Sequence, residues 1–501
     1  MTGDRHYDVI IVGSGAGGGT VAAALAPLAA AGRRVLVIEK GPRYRREDFT
    51  GREREMASAL YAHQGGFLTA DGTMTLAFAE GYGGSTLVYT GTSLVAPERV
   101  VAGWDVPGLA WADLAARSRR YMAENNVHLL PEDLLNDNNR LFVEGARAAG
   151  FHAEQFPLNL RGCLGSSLCN LGCPNLAKQG THQVQLPAAE RGGVEVITRA
   201  EVRALEERAV RVRIRAAAPG GPGAPPEWAP GDYRLTAGTV VLAGGVMGTI
   251  PLLLGSGLGD LPARIGEGFT CHPAQILVAE HPREISNDVG HPKSFYVDRA
   301  VEEGYVLETC MYFPFTTAKN LTGFGPGHSA LMRAYPRLQM ILVLACDKAV
   351  PGNRVALGRG GQPVVHYTFT PETVRAMVRA TRASARIFFG AGALRVHAPS
   401  ARPTLIEAGD AGRVDELVHE RHFLPGTVSV SAAHLMGGCG MGRSAADSVT
   451  DSWGRVHGHP WLRVADASLF PDSLEINPYL TIMALADRVA EGIRDDLGGP
   501  A

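Results

Sequence analysis

The sequence has no long uninterrupted apolar run. Its most apolar stretch, GTVVLAGGVMGTIPLLLGSG, is broken by glycines and a proline, which argues against a membrane-spanning helix and reads instead as strand, turn and helix. Neither sign of charge is in excess, with 48 Lys and Arg against 50 Asp and Glu, so neither nucleic acid nor an anionic membrane is implied as the main partner. Cysteine is scarce. The seven present are an odd number, and Cys271, Cys310, Cys346 and Cys439 are scattered, which does not form a secreted disulfide framework. The opening MTGDRHYDVIIVGSG sets an acidic residue before its apolar run and has no small-residue cleavage site, so it does not read as a signal peptide. A cytoplasmic location is the expectation. Internal repeats and coiled-coil heptads are absent too.

What is present begins with a βαβ unit. Tyr7 to Val12 is a β-branched run suited to a buried parallel strand, and it leads into Gly13, Gly15 and Gly18 of GSGAGG. Alanine-rich sequence then supplies a helix, and RVLVIEKG a second strand ending at Glu39. A bare GxGxxG is a weak signal. Here it has a strand before it, a helix after it and a carboxylate about twenty residues on, placed for ribose hydroxyls. The glycines let a pyrophosphate lie against the helix N-terminus, and a carboxylate at Glu39 would repel a 2′-phosphate. GVEVITRAEVRAL and GTVVLAGGVMGTIPLLL read as returns to the same strand-rich unit, separated by a Pro- and Gly-rich surface loop. From about residue 276 to 424 the pattern changes to alternating strands, a hairpin at Gly360 and Gly361, and a helix through PETVRAMVRATRASARIFFGAGA.

The C-terminal seventy or so residues carry SAAHLMGGCGMG, LRVADASLFP and EINPYLTIMALADRVAEGI. Asn477 and Pro478 read as an N-cap and N1 pair opening a helix. His434 sits in a glycine-flanked loop, where a side chain can project into a cleft. Oxidation of an alcohol needs a base for the hydroxyl proton and an acceptor for hydride, and a histidine beside a redox cofactor meets the first need. His457 and His459 alternate like metal ligands, but in a Gly- and Pro-rich turn without further ligands they read as solvated. Cys439 reads as packed beside the His434 loop.

Together these blocks, with GYGGSTLVYTG at residues 81 to 91, resemble the glucose-methanol-choline (GMC) oxidoreductase family over nearly the whole chain. The histidine before a double glycine, and asparagine before proline, are most similar to the cholesterol-oxidase-like and sugar-dehydrogenase-like branch with a His-Asn pair. The resemblance implies an α/β fold: a Rossmann-like FAD-binding domain interleaved with an α+β substrate domain on a mixed, largely antiparallel sheet. Its expected segments are 1–95, 186–275 and 425–501 for FAD, and 96–185 and 276–424 for substrate. His434 would be the base and Asn477 would hydrogen-bond the substrate oxygen or the flavin edge. Gly13, Gly15, Gly18 and Glu39 would hold the ADP half of FAD, with Val202 at the adenine. Gly83, Gly84 and Ser85 would lie along the flavin or pyrophosphate, Asp466 and Ala467 near the ribityl chain, and Pro478 and Tyr479 at the start of the last helix, whose partial positive charge suits a reduced flavin. Tyr89 or Thr90 stands where many relatives have asparagine. Small-molecule alcohols are the implied substrates, sugar-like, amino-sugar or sterol and lipid alcohols, with O2, a quinone or a protein as electron acceptor. A flavin-retaining, non-redox lyase is the alternative. Glu475 and Glu308 are candidate contacts for a cationic or hydroxyl-rich substrate.

CLGSSLCNLGCP, residues 163 to 174, sets Cys163, Cys169 and Cys173 in a small, glycine-containing loop closed by Pro174. Three soft ligands would suit a [3Fe-4S] cluster, and the spacing resembles that of the cluster-bearing subunits of membrane-linked sugar dehydrogenases in this family. Zinc with His182 as fourth ligand, or three reduced thiols, are the alternatives.

Overall fold

The computed structural model describes residues 5–398, 400, 404–423 and 426–498. Two sheets organise the chain. In the first, the strands run in the order Arg455–Val456, His459–Val464, Gly231–Leu242, Arg5–Val12, Val35–Ile38 and Glu195–Ile197, with Ala209–Ile214 and Ala200–Glu206 branching from Gly231–Leu242. The central pairs are parallel, with Val9 opposite Val35 and Val240 opposite Leu462. Val9, Ile10 and Ile11 are fully buried, which is why this strand is apolar on both faces. Ala16–Ala30 follows as the crossover helix, and the last helix, Tyr479–Asp496, packs against it. The Pro- and Gly-rich loop falls between the strands Ala209–Ile214 and Gly231–Leu242, as the sequence suggests.

The second sheet runs Phe67–Leu68, Met74–Leu76, Val430–Ala432, Ala274–Glu280, Leu338–Ala345, Tyr305–Thr309, Phe295–Arg299 and Glu154–Gln155. Arg395–Ala398 and Thr404–Glu407 branch from it. Its pairs are antiparallel except for Val430–Ala432 beside Met74–Leu76. The helix Pro371–Gly390, N-capped by the Thr370 hydroxyl, covers this sheet together with Asp137–Ala148. Gly145 permits that close crossing, since a Cβ there would lie 2.0 Å from the Ile387 carbonyl oxygen. The expected hairpin forms between Arg354–Leu357 and Pro363–His366. The α/β architecture with a parallel nucleotide-type sheet and a largely antiparallel second sheet is therefore present. Among the described residues, no helix is long and apolar enough to cross a membrane.

Candidate active site

The glycine loop after the first strand is shaped by contacts that exclude side chains. A Cβ on Gly13, where φ is +101°, would lie 2.4 Å from the Ala243 oxygen, and one on Gly18 would lie 2.0 Å from the Gly13 oxygen. Gly17 is tighter, with the Ala465 oxygen 1.7 Å from its Cβ position. Gly15 differs. Its φ is −63°, and the nearest atom to a Cβ there is the Gly84 Cα at 3.9 Å. Gly15 is the N-cap of Ala16–Ala30 and makes no side-chain cap, so the first amides of that helix are donors for a ligand.

Glu39 closes this loop from the end of the second strand. Its carboxylate accepts from the Ser14 N–H at 3.0 Å, the Ser14 hydroxyl at 2.6 Å and the Gly41 N–H at 2.8 Å. Burial outweighs these donors and raises its pKa. The Ser14 hydroxyl in turn accepts from the Gly83 N–H at 3.0 Å, which draws the loop of residues 81 to 85 onto the glycine loop. Gly83 and Gly84 both have positive φ, +106° and +53°. Ser85 faces the other way, accepting from the Ala79 N–H at 3.1 Å. The Ala200 N–H bonds the Glu39 carbonyl at 2.9 Å, which brings the strand carrying Val202 alongside.

These residues fit an ADP-bearing cofactor on the chain's own chemistry: a carboxylate for ribose, free helix amides for pyrophosphate, and room at Gly15 where neighbouring glycines have none. Asp466 serves a different purpose. It is buried, and its two oxygens take the Ser468 N–H and hydroxyl and, from the start of the helix Val246–Leu254, the Gly245 N–H and the Thr249 hydroxyl, at 2.6 to 2.9 Å. The Ala467 carbonyl accepts from the Gly437 N–H at 3.0 Å and so ties this block to the His434 loop.

At the heart of the C-terminal constellation, the Asn477 amide nitrogen lies 3.3 Å from His434 Nε2. The last helix begins at Tyr479 with Pro478 as its N-cap, and no side chain caps it. Asn477 is therefore not the cap expected from Asn-Pro; its amide is turned toward the imidazole. Burial first, then the nearby His272 and Lys293, hold the His434 pKa well below the usual histidine value, so the ring is a neutral base. His434 Nδ1 lies 3.1 Å from His272 Nδ1. His272 Nε2 meets the Ser473 hydroxyl at 2.8 Å and the Glu475 N–H at 3.2 Å.

Tyr479 is buried, its hydroxyl accepting from the Asn159 amide at 3.1 Å and from the Asn125 amide. Its ring lies 4.9 Å from that of Tyr89, whose hydroxyl also meets Asn159. The Thr90 carbonyl is 3.0 Å from His291 Nε2. Glu475 adopts φ +66°, and its carboxylate is ion-paired with Arg99 at 2.5 Å and Lys348 at 3.4 Å. Glu308 is buried in an ion pair with Lys293. His457 bonds Ser448 and His459 bonds the Gly259 carbonyl, on separate partners. Cys439 is fully buried beside the His434 loop.

The three-cysteine loop does not support the expectation of a metal centre. Among the described residues, no group of three or more His, Cys, Asp or Glu side chains is placed to hold a metal ion, so Cys163, Cys169 and Cys173 do not converge as ligands. Burial raises the Cys163 thiol and pushes Cys169 up to about 12. Two of the sulfurs instead accept backbone donors, Cys163 from Gly165 at 3.5 Å and Cys173 from Ala177 at 3.3 Å. The buried Lys178 ammonium sits at this loop, donating to the Cys169, Leu87 and Tyr89 carbonyls at 2.5 to 3.0 Å. His182, the alternative zinc ligand, packs against Gly83: a Cβ on that glycine would lie 2.7 Å from the His182 Cβ.

The sequence reading missed His272, Ser473 and Asp347. A histidine before proline in FTCHPAQ was the only local mark, and nothing in its spacing links it to a residue 162 positions away.

Comparison with known proteins agrees with this architecture. The family models described as GMC oxidoreductase match residues 57–274 for the N-terminal part and 353–486 for the C-terminal part. A GMC-type oxidoreductase of Mycobacterium tuberculosis is 31% identical over 496 residues, covering 97% of this chain and 75% of that one. Long-chain-alcohol oxidase FAO4B of Arabidopsis thaliana is 27% identical, covering 99% and 69%. The cholesterol oxidase of Mycobacterium tuberculosis is 25% identical, covering 97% and 90%. Among solved structures, formate oxidase of Aspergillus oryzae RIB40 superposes with a TM-score of 0.71 at 14% identity, covering 99% of each chain.

Proposed function

Because this chain belongs to the GMC oxidoreductase family of FAD-dependent enzymes acting on alcohol-type donors, we propose that it oxidises the CH–OH group of a lipid or sterol alcohol to a carbonyl, with His434 as base. The observation that carries this reading is the approach of Asn477 to His434 Nε2 at 3.3 Å beside a cradle suited to FAD. When bound there, FAD supplies the acceptor for the substrate hydride. The chain does the rest. Gly13, Gly15, Gly18 and Glu39, with Gly83 and Gly84, would hold the cofactor and Val202 would meet its adenine, while Ser85 supports that loop by accepting from the Ala79 N–H, and Asp466 and Ala467 would anchor the segment nearest the ribityl chain. Asn477 hydrogen-bonds the substrate oxygen and aims its proton at His434 Nε2, while Pro478 and Tyr479 set the end of the last helix. The neutral imidazole takes that proton as the C–H bond breaks.

Two lines support an apolar alcohol over a sugar. Two of the sequence relatives that span nearly the whole chain are a long-chain-alcohol oxidase and a cholesterol oxidase. The two carboxylates considered for hydroxyl-rich or cationic substrates, Glu308 and Glu475, are already ion-paired within the chain. In this reading the domains are those expected from the sequence, except that Phe67–Leu68, Met74–Leu76 and Val430–Ala432 join the second sheet, O2 is the electron acceptor, and the three cysteines are thiols. The same oxidase relatives favour redox chemistry over a flavin-retaining lyase.

Anaerobic mixing of the oxidised holoenzyme with 1-dodecanol, cholesterol, glucose and glucosamine tests the proposal. Flavin bleaching by either of the first two, and not by the sugars, is the expected result. Bleaching by a sugar alone would overturn the substrate class, and no bleaching by any alcohol would overturn the reaction.

A further inference from the structure

On the side away from Asn477, His434 leads into a continuous line of three buried side chains. His434 Nδ1 is 3.1 Å from His272 Nδ1, His272 Nε2 is 2.8 Å from the Ser473 hydroxyl, and that hydroxyl is 3.4 Å from Asp347 Oδ1. Asp347 and Ser473 are buried, and His272 is only 2% exposed. The Asp347 carboxylate is held by the Cys271 N–H at 2.9 Å, the His272 N–H at 3.1 Å and the Tyr367 hydroxyl at 2.9 Å. The line joins four separate parts of the chain and ends on the only carboxylate in it.

We propose that Asp347, acting through Ser473 and His272, receives the proton taken up by His434 and so sets whether His434 Nε2 is free to act as base. The proposal rests on the reading of His434 as that base.

Donor and acceptor chemistry allows the line two arrangements. With Asp347 ionised, the carboxylate can only accept, so Ser473 donates to it and accepts from His272 Nε2–H. His272 Nδ1 then accepts from His434 Nδ1–H, and His434 Nε2 carries a lone pair toward Asn477. With Asp347 protonated every bond reverses. Asp347 donates to Ser473, Ser473 donates to His272 Nε2, His272 Nδ1–H donates to His434 Nδ1, and His434 Nε2 carries the proton. The second arrangement also satisfies the Glu475 N–H, which points at His272 Nε2.

The two arrangements differ by one proton, which is the proton of the substrate hydroxyl. It passes to His434 Nε2. The His434 Nδ1 proton passes to His272 Nδ1, the His272 Nε2 proton to Ser473, and the Ser473 hydroxyl proton to Asp347. No ring is left charged, and the C–H electron pair leaves separately with the hydride. The direction suits the electrostatics of each end. Burial, with Lys348 nearby, holds the His272 ring down to about 3, so a charged imidazolium is disfavoured there as at His434. Burial pushes Asp347 up to about 6, against the three donors that lower it. The other groups facing this line are Cys271 and Tyr367 at Asp347, Cys346 beside it, Lys293 near His434, and Asp472 with Lys348 near Ser473.

The test uses holoenzyme labelled with 15N-histidine, with His272→Asn and His434→Asn assigning the ring signals, and needs no substrate for its first readout. His434 Nε2 is expected to be unprotonated at about pH 8 and protonated at about pH 5, the step following Asp347. Tyr367→Phe removes a donor to the ionised carboxylate, so the midpoint must move to higher pH. Asp347→Asn must abolish the step and slow flavin reduction by 1-dodecanol about tenfold or more. An unmoved midpoint in Tyr367→Phe overturns the proposal, whether or not Asp347→Asn folds. If the midpoint moves as expected while no alcohol reduces the flavin, the relay stands and the alcohol reading falls.

Discussion

Asn477 and His434 face each other at 3.3 Å, amide nitrogen to Nε2, across a sequence gap of 43 residues. The contact exists because the chain turns before the last helix at Glu475, whose φ is +66°, and leaves Asn477 outside that helix. Replacing His434 by Ala is expected to slow flavin reduction by alcohol about 10²- to 10⁴-fold, the usual worth of a general base, while FAD stays bound. Stopped-flow absorbance of the bleaching flavin measures it. Loss of the flavin from the purified variant would instead assign His434 to the cofactor cradle.

The glycine loop separates folding from cofactor binding. Gly17→Ala places a Cβ against the Ala465 carbonyl oxygen at 1.7 Å and is expected to cost about 2 kcal/mol or more of stability. Gly15→Ala meets nothing closer than 3.9 Å and has an ordinary φ of −63°, so the apoprotein should keep its melting temperature. FAD titration should then show weakened affinity in Gly15→Ala, because the methyl group occupies the face that the pyrophosphate needs. Equal FAD affinity in Gly15→Ala and the parent would show that the loop does not contact the cofactor.

Glu475 is expected to act by holding its turn. Its carboxylate pairs with Arg99 at 2.5 Å and its N–H points at His272 Nε2. Glu475→Gln and Arg99→Ala should therefore lower kcat in parallel, by about threefold to tenfold, with little change in KM. A rise in KM confined to Glu475→Gln would place the carboxylate on the substrate.

Acid should destabilise the protein early. His182 and His272 are held down to about 3, His291 and His397 to about 4, and His434 well below its ordinary value, all chiefly by burial. In the unfolded chain these rings take protons near pH 6.5, so between there and about pH 4 the unfolded state binds more protons and stability falls as pH falls. Buried Asp347, Glu39 and Asp466 act oppositely, since their raised values let the folded state hold protons. The histidines outnumber them. Each net proton is worth about 1.4 kcal/mol per pH unit, and urea midpoints at about pH 7 and about pH 5 should show the loss. A higher midpoint at the lower pH would mean that the carboxylates dominate.

The order of elements around the first strand was legible because it depends on local chemistry. An apolar run buried on both faces, three glycines and Glu39 specify strand, tight turn and helix without distant help. The strand and helix at residues 231 to 254, the hairpin at Gly360 and the long helix after Thr370 followed from the same periodicities and caps. The pairing of His434 with Asn477 was inferred from family resemblance, since spacing alone does not bring them together.

What only the tertiary structure decided was the fate of polar groups whose partners lie far away in the chain. Cys163, Cys169 and Cys173 have a ligand-like spacing, yet burial raises the Cys163 and Cys169 thiols, and among the described residues no three such side chains are placed to hold a metal ion. Glu308 and Glu475 look available in the sequence and are neutralised by Lys293, Arg99 and Lys348. Asn477 reads as a helix cap and instead meets an imidazole. Apart from the His272–Pro273 pair, His272, Ser473 and Asp347 carry no local mark, because a hydrogen-bonded line is a property of positions in space. The sequence determined the elements and the turn of the glycine loop through local chemistry; long-range contacts, desolvation and pairing determined how that loop is enclosed and which titratable groups are free to do chemistry.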